Sequence, residues 1–113
     1  MPRIISFSKT IEAFRERRKT VTRRIGWTNL KPDTFLNAVE KAQGLKKGEK
    51  MKWLGGIIVK DIRREPLADL LTDPDYGKAE MIKEGFPGMN PREFIKLFPE
   101  GADMVTRIEF EYT

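Results

Sequence analysis

The stretch Arg18-Lys19-Thr20-Val21-Thr22-Arg23-Arg24 sets the reading of the whole chain. Two threonines flank a valine, and β-branched residues favour an extended backbone. Alternate residues of an extended segment share a face. Thr20, Thr22 and Arg24 then point one way, and Lys19, Val21 and Arg23 the other. The stretch closes the densest basic patch of the chain, which begins at Arg15 and includes Arg17. Cations in the last turn of a helix gain about 0.3–1 kcal/mol. That accounts for Arg17 and Arg18 at the end of a preceding helix, but not for Arg23 and Arg24, which lie beyond it.

Outward towards the N-terminus, Pro2 to Phe7 reads as a first strand, with Ile4, Ile5 and Phe7 as its apolar content. Ser8 or Thr10 is placed to cap a helix over Ile11 to Arg17, whose buried side carries Ile11 and Phe14. In the other direction, Gly26 and Pro32 bracket a loop holding Trp27, and Thr34 to Lys41 is read as a strand. Gln43 to Lys50 is a Lys/Gly turn. Lys50 to Arg64 is one long strand or a hairpin, with Gly55-Gly56 as its bend or bulge and a slip of the apolar phase near Asp61. Trp53 is expected to pack in the core or at that bulge. Short helices follow: Leu67 to Leu71 behind Pro66, Tyr76 to Lys83 capped by Asp75 and closed by Gly85, and one from Pro91 to Phe98 capped by Asn90. Phe86, Phe94 and Phe98 are read as core. The last segment alternates most cleanly. Met104, Thr106, Ile108, Phe110 and Tyr112 form one face and Val105, Arg107, Glu109 and Glu111 the other, the pattern of a half-buried strand.

This order lacks the βαβ alternation of a doubly wound sheet. The 113 residues make one domain, 1–113, with no internal repeat or linker. The fold class is α+β, a small, mostly antiparallel sheet or barrel with helices packed at its ends, its final strand pairing with an early one.

Composition removes whole classes of chemistry. The chain has no cysteine and no histidine. Disulfide scaffolds, thiolate nucleophiles, imidazole bases and His- or Cys-ligated metals are therefore excluded. Asp73 and Asp75 around a proline turn do not make a calcium loop, and neither a metal nor a cofactor is expected. No apolar run approaches the ~20 residues of a membrane span. The N-terminus is too short and mixed for a signal peptide, so a cytoplasmic location is expected. Residues 1–56 hold 14 Lys and Arg against 5 Asp and Glu, whereas residues 57–113 hold 8 against 12. A basic half within one small domain implies a positive face that attracts polyanions, nucleic acid first.

Three segments together carry a resemblance. Arg18 to Arg24 resembles the G/R-x-K-T-x-T-x-R signature of the ASCH domain (activating signal cointegrator homology), a branch of the PUA-like superfamily. Ala79 to Phe86, followed by Glu93-Phe94 and Phe98-Pro99, resembles the family's A-x-x-E-G-F … E-F … F segment, and Val105 to Phe110 its terminal strand. The resemblance implies a PUA-like β-barrel with a cleft lined by the basic segment, and a protein that binds RNA or a modified nucleoside. Some members are small bacterial amidohydrolases acting on N(4)-acetylcytidine, and others are proposed ribonucleases. Matched to the amidohydrolase pattern, the catalytic residues are Lys19, Thr22 and Glu84. Two departures stand out: a Lys-rich insert from Leu36 to Lys52, and a Gly-Phe-Pro-Gly turn after Glu84.

The residue types suit that chemistry on their own terms. Amide hydrolysis needs a nucleophile, a base and an acid for the leaving amine. Thr22 offers a hydroxyl, Lys19 a base once its pKa is lowered, and Glu84 a proton shuttle or a grip on water. A glutamate at a helix C-terminus opposes the helix dipole, which favours a partner such as Lys19. A regular strand, however, would set Lys19 and Thr22 on opposite sides, so either a bend or turn near Thr20 is required or the long lysine side chain must reach around. Arg18, Arg23, Arg24, Lys46 and Lys47 are the candidate contacts to phosphate, and Trp27 the candidate platform for a base. The alternatives are a non-catalytic nucleic-acid-binding module using the same cleft, and an adaptor whose basic half meets an acidic protein. The oligomeric state is left open.

Overall fold

The computed structural model describes residues 3–41 and 45–113. Its elements run β1 (Arg3–Ser6), α1 (Ile11–Arg15), β2 (Val21–Arg24), β3 (Phe35–Val39), β4 (Trp53–Pro66), α2 (Asp69–Thr72), α3 (Pro74–Glu84), α4 (Pro91–Ile95) and β5 (Met104–Tyr112). The expected elements are therefore present; α1, α2 and α4 are shorter than the sequence suggested, and α3 is longer, extending from Pro74 to Glu84. Pro2, and the Gln43-Gly44 start of the Lys/Gly turn, lie outside the described residues. The rest of that turn is closed by Lys46 and Glu49, which exchange a main-chain bond and a side-chain bond of 2.9 Å each.

The five strands form one sheet in the order β1-β3-β4-β5-β2. The final strand pairs with the early β2, as expected, Val21 facing Glu109 and Arg24 facing Thr106. The sheet is mostly antiparallel, as expected, with one parallel pair, β1 on β3. One expectation is corrected: the sheet is a curled half-barrel and not a closed barrel, since β1 and β2 remain edge strands. A guanidinium bridges the open seam between them: Arg24 Nη2 donates to the carbonyl of Ser6.

Both irregularities in β4 have a backbone cause. Ala38 faces Gly55 but Val39 faces Trp53, so Leu54 is the extra residue of a bulge beside the glycine pair. Val59 faces Phe110 and Asp61 faces Glu109, which leaves Lys60 as a second bulge. That bulge is the apolar phase slip visible in the sequence. Trp53, expected to pack, stands 59% exposed.

The sheet buries both of its faces. On one, Ile5, Leu36, Ile57, Ile108 and Phe110 pack with Phe7 and Phe14, the latter from α1. On the other, Val105 meets Leu67, Leu70, Met81 and Phe94 under α2, α3 and α4. β5 is thus not the half-buried strand that its alternation implied. The helical layer covers its second face and buries Val105 and Arg107 as well.

Helix α3 is set by its ends. Asp73, not Asp75, is the N-cap: its side chain accepts from the Tyr76 amide at 3.1 Å, and Pro74 opens the first turn. At the other end Gly85 takes φ 93°, the left-handed conformation that glycine adopts without cost. Within the helix, Gly77 packs against α2 so closely that an added Cβ would lie 2.2 Å from the Leu70 carbonyl oxygen. Gly77→Ala is expected to lose about 2–3 kcal/mol despite the better helix propensity of alanine, because rigid backbone must move. Thermal denaturation checks this, and an unchanged or higher midpoint would show that α2 and α3 do not meet there.

Candidate functional site

Lys19 escapes the alternation of the strand because β2 begins only at Val21. Helix α1 stops at Arg15, Arg17 turns the chain with φ 59°, and the amides of Arg18 and Lys19 bond back to the Ala13 carbonyl at 2.9 and 3.4 Å. The chain then passes the end of α3, where the Thr20 amide donates to the Lys83 carbonyl at 2.8 Å. This path delivers the Lys19 ammonium to Glu84. Nζ donates to the Glu84 carbonyl at 2.5 Å and to its Oε1 at 3.1 Å. One cation thus satisfies a terminal helix carbonyl and offsets the carboxylate that the helix dipole disfavours.

Arg23 lies on the same side as Lys19. Antiparallel pairing sets Arg23 opposite Arg107 on β5, and Arg107 opposite Arg63 on β4. Three arginines therefore form one rung across three strands, where like charges repel. Carboxylates from α3 and β4 compensate. Glu80 accepts from Arg23 Nη2 at 2.5 Å and from Arg107 Nε at 2.6 Å. Glu65 accepts from Arg23 Nε at 2.8 Å, and Glu84 from Arg23 Nη1 at 2.9 Å. The Tyr76 hydroxyl joins Arg23, Arg63 and Glu65. Lys19, Arg23 and Arg107 thereby face Glu65, Glu80 and Glu84, all six side chains 4% exposed or less. The cluster is charge-balanced, and among the described residues no buried side-chain polar atom lacks a partner.

These surroundings move the titrations. Burial pulls the Lys19 ammonium below its ordinary 10.5, Glu84 opposes that pull, and Arg24 and Arg23 add to it. Burial also works against ionised Glu80, but hydrogen bonds from Arg107 and Arg23 outweigh it and hold the carboxyl down at about 2. Burial pushes the Arg24 guanidinium down to about 10, with Glu84 opposing.

Thr22 and Arg24 share the other face of β2, with Arg24 Nε donating to Thr22 Oγ1 at 3.0 Å. Because β2 is an edge strand, side chains from both of its faces reach one hollow at the seam. Lys19, Thr22, Arg23, Arg24 and Glu84 all line this cavity of about 230 Å³. Phe7, Phe86, Phe94, Leu97 and Phe98 give it an apolar wall. Phe94 stacks edge-on against Phe98 with ring centres 5.4 Å apart, and lies 5.9 Å from Phe86. Sequence reasoning assigned these phenylalanines to the core alone. Phe94 on α4, with Phe86 before that helix and Phe98 after it, brings this wall to the cavity that Glu84 also lines.

The remaining predicted contacts are spread out. Arg18 is exposed and paired with Glu16 at 2.6 Å, away from the cavity. Arg23 lines the cavity, but all three of its nitrogens are committed to carboxylates or Tyr76. Lys46 and Lys47 sit on the exposed turn and line neither described cavity. Trp27 lines a second hollow further along the seam, with the Arg3 guanidinium 3.8 Å above its ring. Among the described residues no group of three or more acidic side chains is placed to hold a metal ion, and no helix is long and apolar enough to cross a membrane.

No family model matches the chain, and no curated protein matches it in sequence. Two solved structures do match in fold. Both are mutant forms of ZmASCH from Zymomonas mobilis, with TM-scores of 0.63 and 0.64 and 16% identity. The alignments cover 96% of this chain and 66% and 67% of the ZmASCH chains, so this chain spans about two thirds of their length.

Proposed function

We propose that this chain, which has the fold of those ASCH proteins, belongs to the ASCH family and binds RNA or a modified nucleoside in the seam cavity. There it hydrolyses the amide of an acylated cytidine. The observation that carries this reading is the convergence of Lys19, Thr22 and Glu84, distant in sequence, on one cavity with an aromatic wall. At about 230 Å³ the space falls below the ~300–1,000 Å³ of drug-sized sites, which suits a single base or nucleoside.

The proton inventory balances without histidine. Burial draws the Lys19 ammonium towards its free amine, and the reactive form is the one in which the proton of the Lys19–Glu84 contact has passed to the carboxylate. The Thr22 hydroxyl attacks the acyl carbon and gives its proton to the Lys19 amine. Donation from Arg24 Nε to Thr22 Oγ1 leaves that proton free to point elsewhere and lowers the cost of the developing alkoxide. Glu84 then protonates the departing exocyclic nitrogen. Water cleaves the Thr22 ester in the second half, giving one proton to Glu84, while the Lys19 ammonium returns its proton to Thr22.

A non-catalytic binding module is the second reading. It is favoured by the closure of the Lys19 ammonium onto Glu84, which supports the charged form. Incubation with N(4)-acetylcytidine and with short single-stranded RNA, followed by mass spectrometry, separates the two. Deacetylated cytidine is the expected product. No product in either mixture, with RNA still retained at physiological salt, leaves the binding module standing.

A further inference from the structure

The open seam holds two hollows, and Arg24 lines both. The first is the cavity beside Glu84. The second, about 540 Å³, is lined by Ile4, Ile5, Ile25, Trp27 and Lys41. Ser6, Ser8 and Arg24 are common to the two. Charge distinguishes Arg24 from its neighbours. The other buried cations, Lys19, Arg23 and Arg107, are matched by three buried carboxylates. Among the described residues Arg24 makes no ion pair, and Glu84 attracts it only across the first cavity. Its two hydrogen bonds go to the Thr22 hydroxyl and the Ser6 carbonyl, and the Nη1 amino group is left over.

Among the described residues no acidic side chain lines the second hollow, whereas Lys41 does and Arg3 is held over Trp27. A largely buried, unmatched guanidinium between two hollows is a seat for an anion. Aromatic and aliphatic walls on either side suit planar bases. With one face of Trp27 covered by Arg3, the second base would meet the exposed Ile25 and the free edge of the indole.

We propose that the ligand is a single-stranded oligonucleotide of at least two nucleotides, whose bridging phosphodiester rests on Arg24 while one base enters the cavity beside Glu84 and its neighbour enters the hollow beside Trp27. This rests on the reading of the first cavity given above and adds to it the register of the strand: which hollow takes each base and which side chain takes the phosphate between them. The surplus cation is explained by the phosphate, and the second hollow by the second base.

Calorimetric titration of the full chain tests it with four ligands: N(4)-acetylcytidine, its monophosphate, and the two dinucleotides that carry uridine on either side. One of the dinucleotides is expected to bind at least tenfold tighter than the nucleoside, and tighter than the monophosphate. Ile25→Glu, a change at a position 51% exposed, adds a negative charge to the second hollow. It is expected to bring the dinucleotide-to-nucleoside affinity ratio close to one. Nucleoside and both dinucleotides binding within threefold of each other would overturn the proposal and leave the first cavity's reading intact. A monophosphate that gains as much as either dinucleotide, with a ratio indifferent to Ile25→Glu, would overturn it too, by showing a terminal-phosphate site. Binding of none of the four would overturn both readings.

Discussion

Arg23→Met is expected to destabilise the protein by about 3–5 kcal/mol, the range for removing one partner of a buried ion pair. The side chain is fully buried and bonds to Glu65, Glu80 and Glu84 in three directions. Removing it leaves three carboxylates facing two buried cations. Glu84 keeps Lys19 and Glu80 keeps Arg107, but Glu65 is left with Tyr76 and the partly exposed Arg63, 3.9 Å away. For a domain whose total stability is of order 5–15 kcal/mol, the melting temperature should fall by roughly 10–30 °C. Arg23→Lys should recover only part of this, because one ammonium cannot bond three carboxylates that a planar fork serves together. The same cluster sets an acid limit. Glu80 titrates lower in the folded protein, at about 2, than its ordinary 4.5. Its contribution is therefore complete above about pH 4.5 and is lost as the pH falls towards 2. Urea melts across that window check both effects. A variant within 2 °C of the parent protein would show that the cluster contributes no net stability.

That cluster also marks where sequence reading stopped. The strands were legible because period-two alternation and glycine or proline breaks are local signals. Even the bulge at Lys60 left a trace in the apolar phase. The convergence of Lys19 and Glu84 was legible too, from the dipole conflict of a glutamate at a helix end and from the family resemblance. What stayed hidden depends on register. Nothing in the sequence says that Arg23, Arg107 and Arg63 are level with one another, and only that alignment turns Arg23 from an apparent ligand contact into a fixed strut behind Glu84. The parallel β1–β3 pair and the open seam were hidden for the same reason. They depend on which edges meet, which no single segment encodes. The aromatic wall was legible as core, which Phe94 is, with Phe86 and Phe98 packed against its cluster, but a phenylalanine over a core and a phenylalanine over a cavity look alike until the cavity is seen.

Glu84→Gln is expected to reduce turnover of an acylated cytidine by about 10²–10⁴-fold, the usual worth of a positioned proton donor or acceptor. The substitution keeps the size of the side chain and one acceptor oxygen, so Lys19 retains a hydrogen-bond partner and the cavity keeps its shape. It removes the charge that raises the Lys19 pKa. Burial, the larger influence, then acts with less opposition, and the lysine titrates lower still. The free amine is therefore more populated in the variant than in the parent protein, yet no acid remains for the leaving nitrogen. The proposed mechanism thus predicts a divided outcome: acyl transfer to Thr22 fails at amine expulsion, while nucleoside affinity stays within a few fold of the parent protein. In the parent protein the active form holds one proton between Lys19 and Glu84, so the rate should fall with pH along a limb below the ordinary lysine value of 10.5, where burial of Lys19 lets that proton go. Lys19→Ala should abolish that limb together with activity. Steady-state rates and calorimetric affinities of the two variants separate the possibilities. If turnover survives Glu84→Gln within threefold, the carboxylate serves only to hold Lys19 and Arg23 in place. If affinity and turnover fall together, its role is to shape the binding cavity.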